Sequence, residues 1–173
     1  MRFLIEHEGE PILTAVEDAV AALPKTFPDA AHLEELQALL RRAIDLSGSE
    51  MGDLDAIHSL GEGWVGDEAL AIAVYCALRH SDSFADAVVA SVNHRGDSDS
   101  TGAITGNIMG AALGLQAIPQ KYLEHLELKD VLLELADDLY NDCQMYEYDE
   151  YRDPVWESKY VKMEYGRSSK ERR

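Results

Sequence analysis

Apolar residues recur at helical spacing along most of the chain. Ile12, Leu13, Val16, Val20 and Leu23 fall on one face of a predicted helix over 11–23, with Pro11 acceptable in its first turn. Pro24 and Pro28 then bound a short loop. From Asp29, read as the N-cap, Leu33, Leu36, Leu39, Leu40, Ala43 and Ile44 repeat the pattern as far as Gly48. Leu70 to Leu78 is apolar nearly all round, which predicts an interior helix. Ser81-Asp82-Ser83 starts the next, with Phe84, Ala87, Val88, Ser91 and Val92 on one side, and it ends at Asn93-His94. Ile118-Pro119-Gln120 is a break after which Tyr122, Leu123 and Leu126 pack back. Leu128 to Tyr140 is a last amphipathic helix through Val131, Leu132, Leu135 and Leu139. The pattern predicts an all-helical core over 11–141. Residues 1–10 are ambiguous between a short strand and a frayed start.

After residue 141 the pattern changes. Residues 141–165 hold five of the eight tyrosines, Trp156 and many acids, but few aliphatic side chains. Short strands around Tyr146–Tyr151 and Lys159–Tyr165 fit that composition, and 167–173 reads as a charged, disordered tail. The expected division is therefore a helical domain over 1–142 and an acidic, aromatic, then basic tail over 143–173, partly disordered.

One stretch departs from plain amphipathicity: N-H-R-G-D-S-D-S-T-G-A-I-T-G-N-I-M-G-A-A-L-G-L, Asn93 to Leu115. Its first half concentrates the oxygen ligands Asp97, Asp99, Ser100 and Thr101. Its second half is apolar and carries glycine at 102, 106, 110 and 114, one face of a helix. Each interior glycine costs roughly 1 kcal/mol relative to alanine, so a local gain is expected. Close approach of a second helix backbone along the stripe is the gain predicted, with Gly106→Leu then overpacking by roughly 1–3 kcal/mol. Two readings of the oxygen cluster stand together: a capped helix start, since Asp and Ser are preferred there, and a divalent-metal site. A Ca²⁺ loop of EF-hand type is excluded, because the bidentate Glu needed at its twelfth position is Ile108 here.

A chain of 173 residues can bury one sizeable core. No apolar run reaches the roughly 18 residues of a membrane helix, and Met1-Arg2-Phe3-Leu4-Ile5-Glu6-His7-Glu8 turns acidic too early for a secretory signal. Cys76 and Cys143 read as reduced thiols of a cytoplasmic protein, with Cys76 in an apolar helical run and so a core residue. The net charge of −18 argues against a nucleic-acid partner held by a basic field. It suits divalent cations, and it opposes an anionic ligand unless metal offsets the charge locally.

Other candidates have ordinary readings. Asp53 and Asp55 form a second D-x-D, read as the cap of a short helix before His58, itself a surface or loop residue. Gly61-Glu62-Gly63 is too short for a dinucleotide fingerprint and reads as a flexible entry to the following helix. Asp67 and Glu68 place negative charge in that helix's first turn, where the dipole favours it; a supporting role for Glu68 behind a metal ligand is the alternative. His94 reads as a helix-terminal histidine, with an alternative as support for a carboxylate ligand. Arg95 reads as a solvated helix end, with an alternative as a cation beside a diphosphate.

The strings G-E-G-W-V-G-D-E-A-L-A-I-A-V-Y-C-A-L (Gly61–Leu78) and N-H-R-G-D-S-D-S-T-G-A-I-T-G-N-I-M-G (Asn93–Gly110) resemble the ADP-ribosylglycohydrolase family. The dinitrogenase reductase-activating glycohydrolases belong to it. The likeness runs from about Leu60 to Leu139, with two separated motifs in the family's order and spacing. It implies an all-α fold, an orthogonal helical bundle that holds two Mg²⁺ (or Mn²⁺) ions between helices and removes ADP-ribose from modified proteins or small conjugates. The family's D-x-D-[S/T] ligand motif falls on Asp97, Asp99 and Ser100. The glycine-rich loop lining the ADP-ribose cleft falls on Gly61, Gly63 and Trp64. Two features depart from the pattern. Arg95 stands where a small residue is usual, and the N-terminal Thr/Ser-Asp-Asp-Ser/Thr ligand cluster has no counterpart. The resemblance therefore implies the C-terminal part of the fold, truncated at its N-terminus. Its partners would be an ADP-ribosylated substrate and a separate N-terminal lobe, with no nucleic acid and no membrane. No general base can be named. The alternative is a non-catalytic remnant that binds nucleotide or protein.

Overall fold

The computed structural model describes residue 4, residues 9–140, residue 154 and residues 157–162. Among these residues every regular element is helical, as the all-α reading requires. The chain forms two compact units, Met1–Tyr122 and Leu123–Arg173. The expected domain boundary at 142/143 and the first strand expected near Tyr146 lie outside the described residues.

In the first unit five helices pack around one interior helix, six in all. They are α1 (Ile12–Thr26), α2 (Leu33–Ser47), α3 (Asp53–Leu60), α4 (Gly66–Arg79), α5 (Phe84–Val92) and α6 (Ser98–Leu113). The interior helix is α4, touched by α1, α2, α3, α5 and α6. Ala69 and every residue from Ala71 to Ala77 are buried. Four of them are alanines, so neighbours can approach α4 from all sides. Its all-round apolar sequence is the signature of that position. Burial pushes the Cys76 thiol up to about 12, so this cysteine is an inert core residue.

Proline placement differs from expectation in an instructive way. Pro24 lies inside α1, which continues to Thr26. Proline has no N–H, so the Val20 carbonyl loses its helical partner. The buried Gln37 side chain of α2 supplies one, its Nε2 donating to Val20 O at 3.0 Å. The α2 start also moves. Asp29 is not the N-cap; that position is His32, in left-handed conformation at φ 62, its ring against Glu35 at 2.6 Å. α5 starts after Ser81-Asp82-Ser83 as expected, and the structure makes Ser83 its N-cap, the hydroxyl accepting from Asp86 N at 3.3 Å.

The helix of the glycine stripe, α6, is not the centre of the bundle. It buries Thr101, Thr105, Ile108 and Met109 against α4 and α5 and leaves its other side partly open. Nor do its four glycines line one contact. A Cβ on Gly102 would meet Val92 Cγ1 at 2.6 Å, whereas Gly106 and Gly110 have nothing within 4 Å. Gly114 is the C-cap, at φ 74. The cause is connectivity. A short turn joins α5 to α6, so the end of α5 presses on the first turn of α6 and only Gly102 is tight. Gly106→Ala should therefore raise stability by about 1 kcal/mol through helix propensity. In a melting experiment that is an upward shift of about 2–4 °C; a fall would show a neighbour at Gly106.

After α6 come a 3₁₀ turn (Leu115–Ala117) and a short helix, α7 (Gln120–Leu123). Tyr122 packs back on Phe84, ring centroids 6.1 Å apart. The second unit contains α8 (Lys129–Tyr140) and a wide helical turn at Glu157–Val161. A strand over Lys159–Tyr165 is thus not found at its described residues. Lys159 instead reaches Glu134 at 2.7 Å and Asp138 at 3.0 Å, and Lys162 N bonds Glu157 O at 2.9 Å to close the turn. No helix among the described residues is long and apolar enough to cross a membrane.

Candidate active site

Between α3 and α4 the chain makes a tight loop, Gly61 to Val65. Gly61 at φ 138 and Gly63 at φ 80 both need glycine. Glu68, in the first turn of α4, reaches back into this loop. Its Oε2 accepts the N–H groups of Glu62 and Gly63, each at 3.0 Å. A Cβ on Gly61 would overlap that carboxylate. The Trp64 indole is 67 % exposed, and its Nε1–H donates to Glu62 Oε2 at 3.1 Å.

The loop sits on the start of α6. Asp97 N donates to the Glu62 carbonyl at 2.8 Å. Gly63 faces Thr101 and Asp97; a Cβ there would lie 3.0 Å from Thr101 Cγ2 and 3.6 Å from Asp97 O. Gly96 lies so near Glu62 that a Cβ would overlap the Glu62 carbonyl. The two motifs, distant in sequence, are one surface.

Asp97 is the N-cap of α6, its Oδ1 accepting from Ser100 N at 3.4 Å. Its carboxyl is held below the usual range, first by a hydrogen bond shared with the Asp99 side chain, then by the Ser100 hydroxyl. Slight burial opposes these, while the Ser100 N–H and the nearby His94 add to them. Asp97, Asp99 and Ser100 thus gather at one helix start. Two carboxylates and a hydroxyl are hard donors of the kind that suits Mg²⁺ or Mn²⁺, and three such groups would supply part of an octahedral shell. Among the described residues no three His, Cys, Asp or Glu side chains converge, so a full shell would need water or further ligands. The cap reading and the metal reading of Asp97 are compatible, since a carboxylate has lone pairs for both.

Thr101, counted with the oxygen cluster in the sequence, turns inward and is fully buried. Its hydroxyl donates to Ser91 O at 2.6 Å, tying α6 to α5. His94 completes this joint. Gly96 N–H donates to Nδ1 at 3.1 Å, which leaves the proton of the neutral ring on Nε2, 3.0 Å from Thr101 Oγ1. His94 therefore shapes the turn that delivers Asp97. Arg95 is exposed.

The second D-x-D is elsewhere and separate in role. Asp53 does not cap α3, whose N-cap is Gly52. It accepts from Tyr75 Oη at 2.7 Å and lies 3.0 Å from His80 Nε2 and 3.8 Å from Arg79 Nε. Burial raises its pKa, but those hydrogen bonds and charges outweigh it, so the carboxyl lies below its usual value. The Tyr75 hydroxyl is pushed well above its usual value, first by burial and then by the Asp53 carboxylate. A raised tyrosine pKa contributes stability below pH about 10, the unfolded value, which is lost as pH rises through the folded one. Tyr75→Phe should cost about 1 kcal/mol at neutral pH, with the gap from wild type closing above pH about 10. Melting curves at both pH values check this; a constant gap would mean that the hydroxyl does not bond Asp53.

Sequence reasoning named Gly61, Gly63, Trp64, Asp97, Asp99 and Ser100 as candidates, and the fold joins the loop that holds the first three to Asp97. The same reasoning missed Glu62 as the bridge between loop and helix, and it favoured for Glu68 an interaction with the helix dipole. A bridging carbonyl carries no sequence signal. For Glu68, the only hint was an acid closely following two glycines.

A helical domain that places clustered carboxylates at a helix start, backed by a glycine loop, defines a class that comparison with known proteins makes specific. The family model for ADP-ribosylglycohydrolase matches residues 2–148, and the chain belongs to that family. It is 35% identical over 149 residues to a protein of Archaeoglobus fulgidus, covering 79% of this chain and 48% of that one. It is 37% identical over 65 residues to the ADP-ribosyl-[dinitrogen reductase] glycohydrolase of Rhodospirillum rubrum, covering 32% and 22%. Over 88 residues it is 34% identical to an ADP-ribosylhydrolase of Dictyostelium discoideum, covering 49% and 22%. The chain thus spans about half the length, or less, of these relatives. No solved structure matches it.

Proposed function

We propose that this chain forms one wall of a metal-dependent hydrolase that releases ADP-ribose from a modified protein or a related conjugate. The observation that carries the reading is the union of the Gly61–Trp64 loop with Asp97 through Glu62, which joins the loop bearing the exposed Trp64 to the helix start bearing Asp97 and Asp99. Asp97, Asp99 and Ser100 would hold Mg²⁺ or Mn²⁺. When bound, such an ion orients ribose hydroxyls and lowers the pKa of a water. The chain's own residues supply the rest of this wall. Trp64 offers an aromatic face to the sugar or base, while His94 and Thr101 hold the turn that aims Asp97.

Catalysis of this kind needs ions, water and substrate fixed together. Two carboxylates and one hydroxyl are too few ligands for two ions. The remainder is assigned to a second, N-terminal lobe bearing a Thr-Asp-Asp-Thr-like motif, in keeping with the greater length of the relatives. The other reading, a domain that binds nucleotide or protein without turnover, is favoured by the same shortage of ligands.

Release of ADP-ribose from a modified arginine or serine peptide, with Mg²⁺ present, separates the two. The 173-residue chain alone should turn over at background. Adding the N-terminal half of a full-length family member should restore turnover, and Asp99→Ala should abolish it again. Robust turnover by the chain alone would show that its ligand set is more complete than described. No turnover with the added lobe, despite binding of ADP-ribose, would favour the binding domain.

A further inference from the structure

An acid in the first turn of a helix ordinarily faces solvent and interacts with the helix dipole. Glu68 turns backward out of α4 instead. One oxygen takes two consecutive backbone N–H groups, of Glu62 and Gly63. Consecutive N–H groups that converge on one point form a nest for an anion. Here the chain's own carboxylate fills the nest, and the absent side chain of Gly61 makes room for it. From the same short loop, the Glu62 carbonyl holds the Asp97 N–H and the Glu62 carboxylate holds the Trp64 indole.

We propose that Glu68 is a positioning residue: by filling the backbone nest it fixes the Gly61–Trp64 loop, and through Glu62 it sets both the Trp64 ring and the start of α6 at Asp97. The proposal rests on the reading of this cleft as an ADP-ribose site. It deepens that reading by saying how the loop recognises its ligand. The Glu62 and Gly63 N–H groups are spent on Glu68, so the loop cannot cradle the diphosphate with them. It offers the open indole face, a surface for stacking on the base or sugar. The phosphates must find their counter-charge elsewhere, because Glu62 and Glu68 make this loop an acidic one.

The test uses the full chain carrying Trp156→Phe, which leaves Trp64 as its single indole. Three quantities are measured: amide exchange at Glu62 and Gly63, Trp64 fluorescence anisotropy, and ADP-ribose affinity from Trp64 quenching. In Glu68→Ala, exchange at the two amides should speed up about tenfold or more, as for a loop that opens locally, and the indole should become mobile. ADP-ribose affinity should fall about tenfold, since a binding group that is no longer held in place loses much of its contribution. Glu68→Gln keeps a carbonyl oxygen that can accept both N–H groups, so it should preserve all three readouts; a merely charge-dependent role would not be rescued in this way. Unchanged exchange and anisotropy in Glu68→Ala would overturn the proposal. So would tighter ADP-ribose binding, because it would show the freed nest receiving the diphosphate. If the parent chain does not bind ADP-ribose while exchange and anisotropy respond as expected, the cleft reading falls and the positioning of the loop by Glu68 stands.

Discussion

Gly96→Ala should lower the melting temperature by about 6–12 °C, taking about 3 kcal/mol for a severe overpacking and about 2–4 °C per kcal/mol for a chain of this size. The added methyl would overlap the Glu62 carbonyl, and a backbone carbonyl cannot swing aside as a side chain can. Relief requires the Gly61–Trp64 loop to lift from α6, which breaks the Asp97 N–H bond to Glu62. Gly102→Ala is the matched control. Its methyl would meet Val92 Cγ1 at 2.6 Å, the end of a side chain at the close of α5, so its cost should be smaller. Scanning calorimetry on the two variants compares them directly. A shift for Gly96→Ala no greater than for Gly102→Ala would mean that the loop does not sit against Gly96.

Asp97→Asn with Asp99→Asn should remove divalent-ion binding from the chain. The wild type should bind Mn²⁺ and Mg²⁺ weakly, since the proposed site draws on three side chains, Asp97, Asp99 and Ser100, and no larger cluster of His, Cys, Asp or Glu is present among the described residues. Replacing both carboxylates by amides removes the charge that draws a cation from water, and affinity should fall by at least about tenfold, the lower end of what loss of a mere supporting residue costs. Asp97 caps α6 through an oxygen, and asparagine is an equally good cap, so the fold should survive. Titration calorimetry with either ion measures the change. Equal affinity in both proteins would remove Asp97, Asp99 and Ser100 as ligands and leave Asp97 a cap alone.

Local order was legible from the sequence because it follows from neighbours a few residues apart. The helical periods of α1, α2, α5 and α8, the interior character of α4 and the start of α5 after Ser81-Asp82-Ser83 were all readable in this way. Errors came where a distant group changed a local rule. Pro24 reads as a helix stop, yet Gln37 bonds the carbonyl that Pro24 leaves free, and α1 runs on. Asp53 has the composition of a cap, yet Tyr75, His80 and Arg79 gather around it. The glycine stripe promised one long contact, yet its length exceeds the reach of α5 and only Gly102 meets a neighbour.

The sequence by itself determined that the chain is helical, that α4 is buried on all sides and that carboxylates cluster at the start of α6. Periodicity and ligand chemistry are properties of adjacent residues and survive without coordinates. Only the tertiary structure decided that the Gly61–Trp64 loop rests on Asp97, that Thr101 points into the core while Asp99 points out, and that Glu68 fills the loop's nest. Those choices depend on how α3, α4, α5 and α6 pack. The partner of a backbone N–H or a carboxylate is whatever packing brings within about 3 Å, and residues of one type at one spacing look alike until the helices are placed.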